Sequence, residues 1–69
     1  MSKYIKFETE SQRDDFIAAV NKQRTDGGEY LCKSDISSSG SYEARFEREN
    51  VRDYEQLGEV MRMHGGKLE

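Results

Sequence analysis

Cysteine and histidine occur once each in this chain, as Cys32 and His64, and that scarcity removes much chemistry at once. A lone cysteine closes no intramolecular disulfide, so a reducing cytoplasm is the default setting. One cysteine and one histidine do not make a zinc site at any recognised ligand spacing. Cys32 sits in a strand pattern with His64 as its only imidazole, and reads as a buried, inert thiol rather than a nucleophile. His64 falls near the end of a helical pattern, where a cation interacts favourably with the helix dipole, and reads as a surface residue rather than a general base. Asp14 and Asp15 are adjacent and diverge around a helix, which suits capping better than shared acid–base work. Both Gly-Gly pairs follow helical segments and do not open them, so neither cradles a phosphate. The expectation is a protein that is not an enzyme and uses neither metal nor cofactor.

A basic run is also missing. The formal charge is −3, with 11 Lys and Arg spread among 14 acids, whereas a nucleic-acid binder draws much of its affinity from a concentrated cationic footprint. Interspersed cations weaken the opposite idea, an acidic DNA mimic, as well. No apolar run approaches the ~18 residues of a membrane span, and no signal-peptide core opens the chain, which argues against a membrane. With 69 residues, 33% of them hydrophobic, residues 1–67 read as a single domain with a small core, for which association with another chain would help. Leu68-Glu69 reads as a cloning remnant.

What is present is patterning. Phe7-Glu8-Thr9-Glu10-Ser11-Gln12-Arg13-Asp14 is echoed by Phe46-Glu47-Arg48-Glu49-Asn50-Val51-Arg52-Asp53, and two strand-to-helix junctions with similar capping chemistry explain the likeness as well as duplication does. Residues 3–8 alternate, with Ile5 and Phe7 on one face, and predict a strand. Ser11 is the expected cap of a helix over 12–24 that buries Phe16, Ile17, Ala19 and Val20 and stops at Thr25-Asp26-Gly27-Gly28. Glu29 to Asp35 reads as a second strand of uncertain facing, and Ser37-Ser38-Ser39-Gly40 as a hairpin loop. Tyr42 to Arg48 alternates most clearly, with Tyr42, Ala44 and Phe46 inward and Glu43, Arg45 and Glu47 outward. Asn50 is the expected cap of a second helix over 51–64, with a stripe of Val51, Tyr54, Leu57, Val60 and Met61, ended by Gly65-Gly66.

The fold expected is α+β, in the order β-α-β-β-α: a three-stranded antiparallel sheet with two helices on one face, a truncated ferredoxin-like plan. Gly27-Gly28 leads into a strand pattern, but Gly65-Gly66 leads only to Lys67 and the remnant, so the fourth strand of the full plan is expected to be missing. That would leave the first strand as a sheet edge with unpaired backbone groups. A homodimer through that edge, or pairing with another protein's strand, follows.

Tyr4, Lys6, Glu8, Lys33, Glu43, Arg45 and Glu47 are the candidate partner-binding residues, because together they make a mixed-charge sheet face suited to a specific protein contact. The function expected is that of a small non-enzymatic accessory protein that binds protein. By size and composition it is like the phage or mobile-element inhibitors that occlude a host enzyme or defence complex. The alternative is a nucleic-acid-binding regulatory protein. Stacking of bases on sheet aromatics, as RNA-recognition domains do, lacks support here because Tyr42 and Phe46 share the face that the helices should cover.

Overall fold

The computed structural model describes residues 2–25, 31–32 and 36–68. The predicted strand over Glu29 to Asp35 falls mostly outside them. Among the described residues the chain is α+β, with two α-helices and a four-stranded antiparallel sheet. Strand β1 is Ser2–Lys6, helix α1 Glu10–Thr25, strand β2 Ser37–Ser39 and strand β3 Glu43–Glu47. A 3-10 turn at Arg48–Asn50, helix α2 at Tyr54–Met63 and strand β4 at Lys67–Leu68 complete the order. The strands lie side by side as β2-β3-β1-β4.

The register follows from apolar alternation. Ile5 opposes Ala44 and Lys3 opposes Phe46 across β1 and β3, so Ile5, Ala44 and Phe46 turn to one face and are at most 5% exposed. Both helices cover that face: Phe16 and Val20 of α1 and Leu57 and Val60 of α2 join the same buried cluster with Phe7, Leu31, Cys32 and Ile36. The Phe7 and Phe16 rings meet at 5.3 Å between centroids, and the His64 ring stands edge-on to Phe16 at 6.2 Å. Tyr42, expected inward, is instead 46% exposed because it belongs to the turn before β3 and not to the strand.

Each helix begins away from its expected cap. In α1 the Thr9 hydroxyl, not Ser11, accepts from the Gln12 N–H at 3.1 Å, and the Gln12 side chain accepts in return from the Glu8 N–H at 3.1 Å. This reciprocal arrangement resembles a capping box, with Gln12 three residues after the Thr9 cap. In α2 the cap is Asp53, whose carboxylate accepts from the Gln56 N–H at 3.1 Å. Asn50 lies instead in the 3-10 turn, and Val51 forms an isolated antiparallel bridge with Cys32. The two echoed segments are therefore not structurally equivalent: Asp14 sits inside α1, whereas Asp53 caps α2.

Two expectations about the sheet are overturned. Ser37–Ser39 is not a loop but strand β2, paired with β3 from Ser37 opposite Arg45 to Ser39 opposite Glu43. A ladder uses backbone groups that serine supplies as fully as any residue, and tertiary contact overrides low strand propensity. That contact comes from α1, where the Asn21 amide accepts from the Ile36 N–H at 3.1 Å and donates to the Ile36 carbonyl at 3.4 Å. The hairpin turn falls one step later, at Gly40-Ser41-Tyr42, with Gly40 at φ +62°. Arg13 of α1 grips the turn, donating to the carbonyls of Gly40 at 3.2 Å and Ser41 at 2.9 Å.

The second correction concerns the sheet edge. A fourth strand is present: β4 pairs with β1 through Ile5 opposite Leu68 and Lys6 opposite Lys67. The expected open edge is thus occupied at Ile5 and Lys6. The reversal that brings Lys67 there is a Schellman turn, in which the N–H of Gly66 donates to the Met61 carbonyl at 2.9 Å and that of Gly65 to the Arg62 carbonyl at 3.1 Å. Gly65 takes φ +77°. Gly66 is needed for contact: a Cβ there would lie 2.6 Å from Phe7 Cε2 and 2.8 Å from Ile5 Cγ2.

Candidate functional site

Alternation that buries Ile5, Ala44 and Phe46 sends their neighbours to the face of the sheet away from the two helices. Across β1 and β3, Ser2 opposes Glu47, Tyr4 opposes Arg45, and Lys6 opposes Glu43. Ser37 and Ser39 extend the same rows from β2. Five of the candidate residues, Tyr4, Lys6, Glu43, Arg45 and Glu47, are therefore side by side. Opposite charges face each other directly in the Lys6–Glu43 row, the favourable cross-strand arrangement.

One corner of the face is held in place. Arg45 Nη2 lies 2.9 Å from Glu47 Oε1 and donates to Ser2 Oγ at 3.0 Å, while the Ser2 hydroxyl donates to the same carboxylate oxygen at 2.8 Å. The Arg45 and Glu47 side chains keep 46% and 38% exposure, so water screens their attraction and the pair is worth ~0.2–1 kcal/mol at most. Its effect is orientation: Arg45 is steered along the sheet surface with part of its guanidinium facing solvent.

The other two candidates separate from this group. Lys33 lies outside the described residues. Glu8 follows the end of β1, where its backbone serves the α1 cap, and its side chain borders a cavity of about 420 Å³ with Lys6, Phe7, Tyr42, Gly65, Lys67 and Leu68. Sequence reasoning missed three contributors: Ser2, which completes the Arg45 corner; Arg13, which holds the hairpin turn; and Lys67, which joins the sheet beside Lys6. Only Lys67 left a usable signal, since it follows Gly65-Gly66 as Glu29 follows Gly27-Gly28.

Cys32 is 1% exposed, and burial pushes its thiol up to about 11, which suppresses the reactive thiolate at neutral pH. Among the described residues no three His, Cys, Asp or Glu side chains are grouped to hold a metal ion. Among them too, no helix is long and apolar enough to cross a membrane. His64 is part-buried, with Nδ1 2.9 Å from the Val60 carbonyl at the end of α2. Comparison with protein-family models, curated proteins and solved structures finds no match to this chain.

Proposed function

We propose that this chain is a small, non-enzymatic accessory protein that binds another protein through the sheet face away from the two helices. The observation that carries the reading is the grouping of Tyr4, Lys6, Glu43, Arg45 and Glu47 on one surface opposite the helices, with Arg45 oriented by Ser2 and Glu47. Alternating charges in fixed register favour a specific partner over a merely sticky one, because a mismatched surface brings like charges together. The mode of action is occlusion in the cytoplasm, as for the phage or mobile-element inhibitors of host enzymes and defence complexes. The strand order β2-β3-β1-β4 with two helices supports a split β-α-β, ferredoxin-like plan for the scaffold.

Self-association belongs to the same reading, with its place moved. Since β4 pairs with Ile5 and Lys6, the homodimer would form through β2, whose Ser37 and Ser38 are exposed at the other end of the sheet. Light scattering across a concentration series tests it, and an invariant monomer mass rules it out.

The test of the main reading is affinity capture from the native cell with matched variants. Arg45→Glu together with Tyr4→Ala should abolish recovery of the partner. Glu55→Lys, at an exposed position in the first turn of α2, should leave it intact. Equal recovery by both variants would remove the face from the argument. Salt-sensitive recovery of nucleic acid alone would favour a nucleic-acid-binding regulator instead.

A further inference from the structure

We propose that the cavity where β1, β4 and the hairpin turn meet binds a carboxylate carried on an apolar body, with Lys6 and Lys67 as its charge partners. The first ground is register. Lys6 and Lys67 are directly opposed on neighbouring antiparallel strands, and like charges so placed destabilise a sheet. Glu43 faces Lys6 from the other side, across β3, which leaves Lys67 as the cation of this row farthest from an acid on the strands. A bound anion between the two ammonium groups would convert their repulsion into two attractions.

The second ground is the shape and lining of the space. Lys6 and Lys67 border a cavity of about 420 Å³ together with Phe7, Tyr42, Leu68 and Glu8, a volume within the range of small-molecule sites. Tyr42 on this lining is 46% exposed, so an aromatic surface is available to a ligand. The wall is tied together, because the Phe7 N–H donates to the Tyr42 carbonyl at 2.8 Å. Aromatic groups beside a pair of cations match an acid with a hydrophobic substituent. Among the described residues of the lining two lysines stand against one acid, Glu8, in a chain whose formal charge is −3. The site stands apart from the partner reading, although Lys6 borders both surfaces.

A 15N–1H NMR titration with 4-phenylbutyrate tests the inference, with the neutral 4-phenylbutanol as a control. Saturable shifts are expected at Lys6, Phe7, Glu8, Tyr42 and Lys67, with the alcohol binding at least about tenfold more weakly. Replacing both lysines, Lys6→Ala with Lys67→Ala, should weaken the acid roughly tenfold, since each exposed ion pair is worth about threefold. Glu8→Gln should tighten it about twofold by removing the repelling acid. A peptide ending in phenylalanine, compared as free acid and as amide, separates the sources: tighter binding of its free acid than of phenylbutyrate points to a protein C-terminus, and the reverse to a free metabolite-sized acid. Equal shifts from acid and alcohol, absence of saturation, or unchanged affinity in the double lysine variant would overturn the site. Retained dispersion in the variant spectra shows that the fold is intact, and partner capture from cells is read separately.

Discussion

On the helix side of the sheet Ile5 and Ala44 are fully buried, whereas Lys6 and Arg45, one residue further along the same strands, stand in water. The same ladder thus separates a surface held by packing from one held by screened charge. Among the described residues no polar side chain is buried, so stability comes from the apolar face and from a few hydrogen bonds that tether loops to it. The open face is free to vary, because its ion pairs contribute little to folding. Substitutions on the two sides should therefore separate cleanly into those that change stability and those that change only what the surface can contact.

The largest expected effect comes from the buried side and needs no mutation. The Cys32 thiol has a folded pKa near 11 against an ordinary 9.0, so the folded state holds its proton more firmly than the unfolded one. Its contribution is complete below pH 9 and is lost as the pH rises through about 11, a loss of about 3 kcal/mol. Urea denaturation of the wild type and of Cys32→Ala across this range checks it. Their stabilities should converge as the pH rises, and a constant difference would mean that the thiol does not ionise with unfolding as burial requires.

Gly66→Ala comes next. The added methyl would sit 2.6 Å from Phe7 Cε2 and 2.8 Å from Ile5 Cγ2, forcing β4 or the Phe7 ring to move at a cost of about 2 kcal/mol. Gly58→Ala is the matched control, because its nearest neighbour would be the flexible end of Arg62 at 3.3 Å and alanine favours the helix. Thermal denaturation should lower the midpoint for Gly66→Ala and hold or raise it for Gly58→Ala.

These contacts also show which parts of the fold were legible beforehand. The alternation of Glu43 to Glu47 and the stripe of Leu57, Val60 and Met61 each mark one element, because burial of a single face dictates their period. Gly65-Gly66 correctly marked the end of α2. Strand β2 was illegible since Ser37–Ser39 has no apolar period; its place is set by the Asn21 amide holding Ile36 from a helix fifteen residues earlier. Strand β4, at Lys67–Leu68, is too short to carry a period at all. The outward charges of β3 could be grouped from the sequence, but bringing Lys67 to Lys6 depends on the Schellman turn and the space that Gly66 leaves.

Asn21→Ala tests that long-range tether and should cost about 1 kcal/mol, since a part-buried amide gives up its bonds to both backbone groups of Ile36. Hydrogen exchange reads it locally. Protection should fall at Ile36 and along β2 while the β1–β3 ladder keeps its own, and uniform loss would show that the tether supports the whole fold.

Arg45→Ala should have the smallest effect on folding and the sharpest bearing on the comparison of faces. It removes one exposed ion pair with Glu47 and one bond to Ser2, so the stability change should stay within about 0.5 kcal/mol. What it removes is orientation, because Glu47 and Ser2 no longer hold a cation beside Tyr4. Denaturation and partner capture measured on the same variant distinguish the two roles. Near-native stability with loss of the partner assigns Arg45 to the surface, whereas a loss above about 1.5 kcal/mol would move it, and the face with it, into the machinery of folding.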